Sequence, residues 1–337
     1  MIQPRRFWFA LHPDIKRPVG GVKQIHRLAE AITDLGSEAV LIQDSAEFHP
    51  AWFGSKVNTI SRYEWQSLSD LSPSYDVLVL PETFVSVFTT YNTFLPKVVF
   101  NQNGSYSFGL SSSLFSPPSR ILDLYRSPII SHVLCVSQND YRLLTSDFGF
   151  NLPPSKVSLL VNGLEGSLFQ PSKYKKKQIA YMPRKNLADS EIVAALLRSQ
   201  PWFKGWVLKP IQECSQSQVS QILQDSLLFL SFGHPEGFGL PVAEALSCGC
   251  GVVGYSGLGG RELFSLAKHF QVGNEIAVGD WLGFVDSTRQ FIEAFATRPT
   301  WLLSALRSCS SSVRSTYSQD KMRMSILSAL NSIDDCL

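Results

Sequence analysis

The sequence predicts an α/β protein made of two doubly wound domains with parallel sheets, and three observations predict this class. The chain has 337 residues, which at about 150 residues per domain gives two domains. Short apolar runs alternate with segments whose apolar residues recur at helical spacing, a pattern typical of parallel α/β architecture. A polar, lysine-rich stretch from Pro171 to Lys177 interrupts this alternation and indicates a linker.

The first half is rich in strands. After the first apolar run, a loop with two adjacent glycines leads into a helix with apolar residues from Val22 to Leu35, which Gly36 ends. The predicted strands are, in chain order, Phe7–Leu11, Ala39–Gln43, Val77–Leu80, Val98–Asn101, Val133–Ser137 and Val157–Val161.

The alternation resumes after the linker. Strands are predicted at Gln178–Met182, Gly205–Leu208, Leu227–Phe232 and Cys250–Tyr255, and helices at Asp189–Arg198, at Val219–Leu223, from Pro241 and from near Gly260. The tail is predicted as one long helix, because Met322, Ile326, Leu330 and Ile333 share a face. The resulting domain bounds are 1–165, a linker at 166–177, a second domain at 178–311 and a C-terminal helix at 312–337.

Composition excludes several classes of protein. Hydrophobic residues make up 44% and charged residues 17%, so the chain is globular and not intrinsically disordered. The net charge is +2, and neither half carries the basic excess that nucleic-acid binding requires.

The six cysteines and the apolar runs bear on location. No two cysteines have C-x-x-C spacing, which argues against structural zinc and favours reduced thiols in the cytoplasm. No signal peptide is recognisable, and no apolar run reaches eighteen residues. No basic amphipathic helix marks a membrane-binding surface, although peripheral contact with a membrane stays open.

The most informative segment runs from Ser231 to Leu246. A buried strand ends, a glycine-rich loop turns, and a helix begins with Pro241 near its first position. Free backbone amides at such a helix start bind phosphate, and Gly237 and Gly239 allow the backbone to approach a ligand closely.

Two carboxylates flank this loop. Glu236 lies within it and Glu244 about one helical turn beyond its end. A carboxylate accepts two hydrogen bonds, which suits the vicinal diol of a sugar or ribose. Taken singly, Glu244 is explained by the helix dipole and Glu236 by an exposed turn; taken as a pair in this loop, they favour a ligand site.

Glu236, seven intervening residues and Glu244, with Gly-Phe-Gly-Leu-Pro between them, resemble the signature of the retaining glycosyltransferases of family 4. The resemblance implies the GT-B fold: two Rossmann-like domains facing a central cleft, with the C-terminal helix crossing back to the first domain. It also implies that Glu236 contacts the donor sugar and Glu244 the ribose. The loop from Gly237 through Phe238 and Gly239 to Leu240 would then hold the diphosphate.

Weaker matches extend the resemblance along the chain. Pro18 to Val22 is similar to the family's N-terminal glycine loop, so Gly20 and Gly21 would face the donor phosphates. Gly257 to Leu263 matches the segment that follows the two glutamates.

The sequence departs from the family at the cations after the first strand of the second domain. The family places an arginine there and a lysine five residues later, whereas Arg184 is followed at that distance by Asp189. We assign the charge role to Arg184, with Lys185 as its substitute and Lys209 in reserve. The alternative for Lys185 is a solvated surface cation.

A second departure concerns histidine. Many family members have a histidine in the first domain facing the donor sugar, but the matching segment from Phe100 to Tyr106 carries amides. Asn103 could contact a sugar or acceptor hydroxyl but cannot act as a base. His234 is expected at the rim of the site, and His26 and His132 are expected to be packing residues.

These observations predict a glycosyltransferase with Glu236 and Arg184 as its catalytic residues. Its substrates would be a nucleotide-diphosphate sugar and a glycan, lipid-linked or small-molecule acceptor. No Asp-x-Asp occurs, which favours transfer without a metal or other cofactor. A dinucleotide-binding oxidoreductase is disfavoured because Glu262 stands where the fingerprint needs glycine, and no P-loop occurs. The remaining alternative is a non-catalytic nucleotide-sugar-binding protein.

Overall fold

A computed structural model describes residues 4–11, 14–16, 19–85, 94–109 and 117–337. Within these ranges the chain divides into two compact units. Unit 1 comprises Met1–Asn162 with Asp320–Leu337, and unit 2 comprises Gly163–Gln319.

Unit 1 contains a parallel sheet, seven-stranded among the described residues, in the order β3-β2-β1-β4-β5-β6-β7. The strands are β1 Arg6–Ala10, β2 Glu38–Gln43, β3 Asn58–Ser61, β4 Asp76–Pro81, β5 Lys97–Asn101, β6 Ile130–Cys135 and β7 Val157–Leu159. The first four helices are α1 Gly20–Asp34, α2 Arg62–Gln66, α3 Pro118–Arg126 and α4 Gln138–Thr145.

Unit 2 contains a second parallel sheet in the order β12-β11-β10-β8-β9. Its strands are β8 Lys176–Tyr181, β9 Val207–Pro210, β10 Ser226–Ser231, β11 Gly251–Gly254 and β12 Gly273–Glu275. Its helices are α5 Leu187–Arg198, α6 Gln216–Asp225, α7 Leu240–Ser247, α8 Arg261–His269, α9 Trp281–Thr297 and α10 Pro299–Thr316, and α11 Gln319–Cys336 follows.

Each sheet has a switch point, the place where successive connections leave in opposite directions along the sheet. In unit 1 it lies between β1 and β4, and in unit 2 between β8 and β10. Open parallel sheets bind ligands outside the carboxyl ends of their strands at this position. The loops after these four strands are therefore the first places to look for a site.

The C-terminal segment differs from the single helix predicted over 312–337. The structure ends α10 at Thr316 and begins α11 at Gln319. Tyr317 accounts for the break, because its hydroxyl donates to Glu262 Oε1 (2.9 Å) and its ring contacts Phe238. Such tertiary contacts leave no trace in helical periodicity.

Helix α11 packs on the core of unit 1. Its buried face of Met322, Ile326, Ala329, Leu330 and Ile333 includes side chains that share a small cavity with Phe7 and Phe9 of β1. Arg5 Nε pairs with Asp334 Oδ1 at 2.5 Å.

The segment predicted as a linker at 166–177 also differs. Residues 163–175 group with unit 2, and Lys176 and Lys177 already belong to β8. Lys175 is not a solvated cation, because its Nζ donates to the carbonyl oxygens of Leu223, Ser226 and Cys248. A lysine stem long enough to reach buried carbonyls explains why a basic run can be part of a folded unit.

Candidate functional site

The loop after β10 leaves the sheet at the switch point of unit 2. Phe232 anchors its start, buried and stacked on Phe284 with ring centroids 4.8 Å apart. The loop ends at Gly239, the N-cap of α7, whose φ of +86° is left-handed and favours glycine. Pro241 follows within the first turn, where a missing N–H costs nothing.

This loop leaves backbone donors available. The N–H groups of Gly237, Phe238 and Gly239 have no hydrogen-bond partner among the residues described, and all three residues are buried. Unpaired N–H groups in buried residues are uncommon in folded proteins. Together with the start of α7, they provide the donor set that a phosphate group requires.

Glu236 is held by a second glycine-rich loop. Its N–H donates to the Gly257 carbonyl (2.8 Å) and its carbonyl accepts from the Gly259 N–H (3.0 Å). Gly257 has a φ of +64°, and a Cβ there would lie 2.5 Å from Glu236 Cβ. The segment after β11 therefore fixes the backbone that carries this carboxylate.

Lys185 reaches the same carboxylate from the loop after β8. Its Nζ lies 2.9 Å from Glu236 Oε2 and 3.1 Å from the Pro235 carbonyl oxygen. Asn186 ties the two loops together, because its Nδ2 donates to the Phe232 carbonyl. The two strands at the switch point thus place a cation and a carboxylate side by side.

Arg184 is exposed, and it lines a cavity together with Lys185, Glu236 and Gly239. The sequence ranks Arg184 above Lys185, but of these two residues it is Lys185 that touches Glu236. Lys209, the reserve cation, lies in β9 and is not among the residues that line this cavity.

Asp189, at the position where the resembling family has lysine, has a different task. Its Oδ2 accepts from the Tyr255 hydroxyl (2.6 Å) and its Oδ1 from Trp281 Nε1 (3.1 Å). Burial, reinforced by this hydrogen bond, raises the pKa of Tyr255 to about 12. The position therefore joins α5 to the residue after β11 and to α9 instead of supplying a cation.

The other site residues predicted between His234 and Glu244 differ in their surroundings. Glu244 is half-buried in α7. Phe238 is a core side chain, buried against the ring of Tyr317, so only its backbone could serve a ligand. Leu240 opens α7, and His234 is half-buried next to Pro235; neither lines the cavity described above.

In unit 1, Gly20 and Gly21 begin α1, and the N-cap Val19 supplies no side-chain cap. Pro18 of the same motif lies outside the described residues. Asn103, expected to contact a sugar, is buried, and its Oδ1 accepts from the Ser105 N–H (3.1 Å). Its oxygen therefore caps a turn.

His26 and His132 are buried, and each is hydrogen-bonded to a serine hydroxyl at 2.8 Å. Burial lowers the pKa of both to about 4, which fits neutral packing residues.

Sequence reasoning missed Glu82, a buried carboxyl group directly after β4. It also passed over Gln102, whose side chain lies against Gly21. The available signal was their position, since each polar residue follows the end of an apolar strand: β4 at the switch point for Glu82, and its neighbour β5 for Gln102.

Two kinds of feature are absent from the residues that the structure describes. In these ranges, no three His, Cys, Asp or Glu side chains come together as a metal site would require. No helix in the same ranges is long and apolar enough to cross a bilayer.

No protein-family model matches the chain. It is 24% identical over 220 residues to an α-1,6-glucosyltransferase of Actinobacillus pleuropneumoniae serotype 7 (strain AP76). That match covers 62% of this chain and 59% of the relative, so the chain aligns with under two thirds of that protein's length.

Solved structures match nearly the whole chain. Sucrose-phosphate synthase from Thermosynechococcus elongatus superposes with a TM-score of 0.70 at 11% identity, covering 99% of this chain and 100% of that one. HepE of Anabaena, solved in complex with UDP and glucose, superposes with a TM-score of 0.68 at 15% identity, covering 97% and 100%. The fold is therefore that of the GT-B glycosyltransferases, as the sequence predicts.

Proposed function

We propose that this chain is a metal-independent, retaining glycosyltransferase of the family 4 kind. It would transfer a hexosyl group from a nucleoside-diphosphate sugar to a glycan, lipid-linked or small-molecule acceptor. Unit 2 would bind the donor and unit 1 the acceptor, in the cytoplasm and in the service of polysaccharide synthesis. One observation carries the proposal: Glu236, Lys185 and the unpaired N–H groups before α7 converge at the switch point of unit 2.

In the proposed reaction the bond between the anomeric carbon and the β-phosphate oxygen breaks. The acceptor oxygen bonds to that carbon on the same face, and its proton passes to the departing phosphate. Negative charge grows on the β-phosphate, where the loop N–H groups, Arg184 and Lys185 would stabilise it as preorganised donors and charges. Glu236 would orient the donor sugar and Glu244 the ribose.

The ion pair of Lys185 with Glu236 suits this role. Its side chains keep 30% and 18% of their exposure, and such partly exposed pairs contribute only about 0–1 kcal/mol. A diphosphate can therefore replace Glu236 as the partner of Lys185 at little cost, which frees the carboxylate for a sugar hydroxyl.

The similar proteins support the substrate class. The curated relative is named a glucosyltransferase, and HepE was solved with UDP-glucose as well as with UDP. The alternative function, nucleotide-sugar binding without transfer, is favoured by one observation: Asp189 is held by Tyr255 and Trp281 and supplies no second cation.

A thermal-shift screen of nucleoside diphosphates and their sugars tests binding, because a ligand that binds only the native state raises its apparent stability. Release of nucleoside diphosphate from the best donor then separates enzyme from binding protein. The anomeric configuration of the product, read by proton NMR, tests retention, and activity in EDTA tests metal independence. Binding without turnover across donors and acceptors favours the alternative.

A further inference from the structure

Glu82 is a buried acid at the switch point of unit 1. It directly follows β4 and is 5% exposed. Its Oε2 accepts a hydrogen bond from the backbone N–H of Gln102 at 3.1 Å. Burial raises the pKa of this carboxyl group to about 7, although backbone donors oppose that rise. A buried carboxyl group is costly unless it is hydrogen-bonded. The hydrogen bond from the loop after β5 offsets part of that cost and ties the carboxyl group to Gln102.

Gln102 extends that contact toward α1. An added Cβ on Gly21 would lie 3.4 Å from both amide atoms of the Gln102 side chain. Since β4 lies between β1 and β5 in the sheet, this side chain crosses from the loop after β5 to the helix after β1. It therefore lies at the switch point, where sheets of this kind bind ligands.

The two amides on either side of Gln102, at the end of β5 and in the loop after it, form internal hydrogen bonds. Asn101 Nδ2 donates to Ser107 Oγ and to the Tyr125 hydroxyl, both at 3.0 Å. Asn103 caps the turn that follows. Asn101 and Asn103 each use one amide atom in these internal bonds, and half-buried Gln102 is the amide of Asn101–Asn103 that lies next to the first turn of α1.

We propose that Gln102 binds a hydroxyl group of a neutral sugar, and that Glu82 is the positioning residue that holds Gln102 in place. A carboxamide both donates and accepts hydrogen bonds, as a hydroxyl group does. The identity of the ligand as a sugar rests on the proposed function. The positions of Glu82 and Gln102 do not.

The test uses the full chain with ¹⁵N-labelled glutamine side chains, and Gln102→Ala identifies the Gln102 signal. The probes are the methyl α-glycosides of glucose, galactose and mannose, with UDP titrated in parallel. At least one hexoside should shift the Gln102 signal. Glu82→Leu should weaken that hexoside about tenfold, the size of one lost hydrogen bond. Glu82→Gln, which keeps an accepting oxygen, should restore affinity to within about threefold.

A double variant tests whether Glu82 acts through Gln102. Glu82→Leu with Gln102→Ala should bind the hexoside no more weakly than Gln102→Ala alone, because coupled residues are not additive. Gln43→Leu is the matched control. Gln43 is also buried, holds a loop after β2 at the same sheet edge, and should leave hexoside affinity unchanged.

If none of the three hexosides shifts the Gln102 signal, the inference is overturned. If the losses of hexoside affinity in Glu82→Leu and Gln102→Ala add up in the double variant, the positioning role of Glu82 is overturned. If Glu82→Leu fails to fold, Glu82→Gln and the Gln102 signal still decide the question. Nucleotide binding reports on unit 2 separately: if no nucleoside diphosphate of the thermal-shift screen binds, the proposed function is contradicted, whereas binding of UDP or another nucleoside diphosphate without any shift of the Gln102 signal contradicts only this inference.

Discussion

At the switch point of unit 2 the loops carry partly exposed charges, whereas at the switch point of unit 1 an amide lies over a buried acid. Lys185 and Glu236 remain open to solvent and pair at 2.9 Å. Glu82, by contrast, is buried beneath the backbone of Gln102. The same arrangement of parallel strands thus presents one charged surface, for which we propose a diphosphate ligand, and one neutral amide, for which we propose a sugar hydroxyl. The difference comes from the residues that follow the strands, not from the sheets.

The largest effect should come from the charged surface. Glu236→Ala should lower donor turnover by about 10²–10³-fold, the range seen when a group that stabilises a transition state is removed. Donor turnover by the purified variant measures it. Glu191→Ala, an exposed carboxylate on α5, is the control and should retain activity. Full turnover by Glu236→Ala would remove this residue from the site.

The buried acid Glu82 should affect the pH dependence of the protein's stability. Because burial raises the pKa of Glu82 to about 7, native Glu82 keeps a proton between pH 4.5 and 7 that the unfolded chain loses. Stability therefore falls as pH rises through this window. A shift of this size corresponds to roughly 3 kcal/mol.

Glu82→Gln carries no such proton. Its stability relative to the natural chain should rise by roughly 3 kcal/mol between pH 4.5 and pH 8. Urea unfolding of both proteins at a series of pH values measures the difference. A difference that stays constant with pH would contradict the assignment, because Asp140, which also raises this pKa, is present in both proteins.

The sequence predicts one of these two surfaces and misses the other, for a physical reason. The loop around Glu236 combines glycines, a proline and paired acids, so its chemistry is visible in local composition. Glu82 is a single acid after a strand, and only tertiary packing makes it buried. Likewise, apolar central strands are predicted, but polar β3 at a sheet edge and the three-residue β12 are not. The break at Tyr317 depends on distant Glu262 and is equally invisible.

Within unit 2, Arg184 and Lys185 are expected to contribute unequally to nucleoside-diphosphate binding. Sequence resemblance favours Arg184, whereas the geometry favours Lys185, which already lies against Glu236. We expect Lys185→Ala to weaken nucleoside-diphosphate binding about tenfold, the effect of a lost charged hydrogen bond. Arg184→Ala should cost less, because of these two cations it is Lys185 that forms the ion pair with Glu236. Calorimetric titration of both variants measures this, and a larger loss for Arg184→Ala would restore the ranking drawn from the sequence.

The smallest effect should come from Asn103. Its substitution tests whether this residue in unit 1 supports the loop or contacts the sugar. Because Asn103 Oδ1 caps a turn, Asn103→Ala should lower the free energy of unfolding by about 1 kcal/mol, the usual cost of a lost cap. Hexoside affinity should change less than in Gln102→Ala, since a buried capping oxygen is not available to a ligand. Asn103→Asp keeps the accepting oxygen and should recover most of the stability in urea unfolding. If Asn103→Ala instead lost affinity at unchanged stability, Asn103 and not Gln102 would be the amide that meets the sugar.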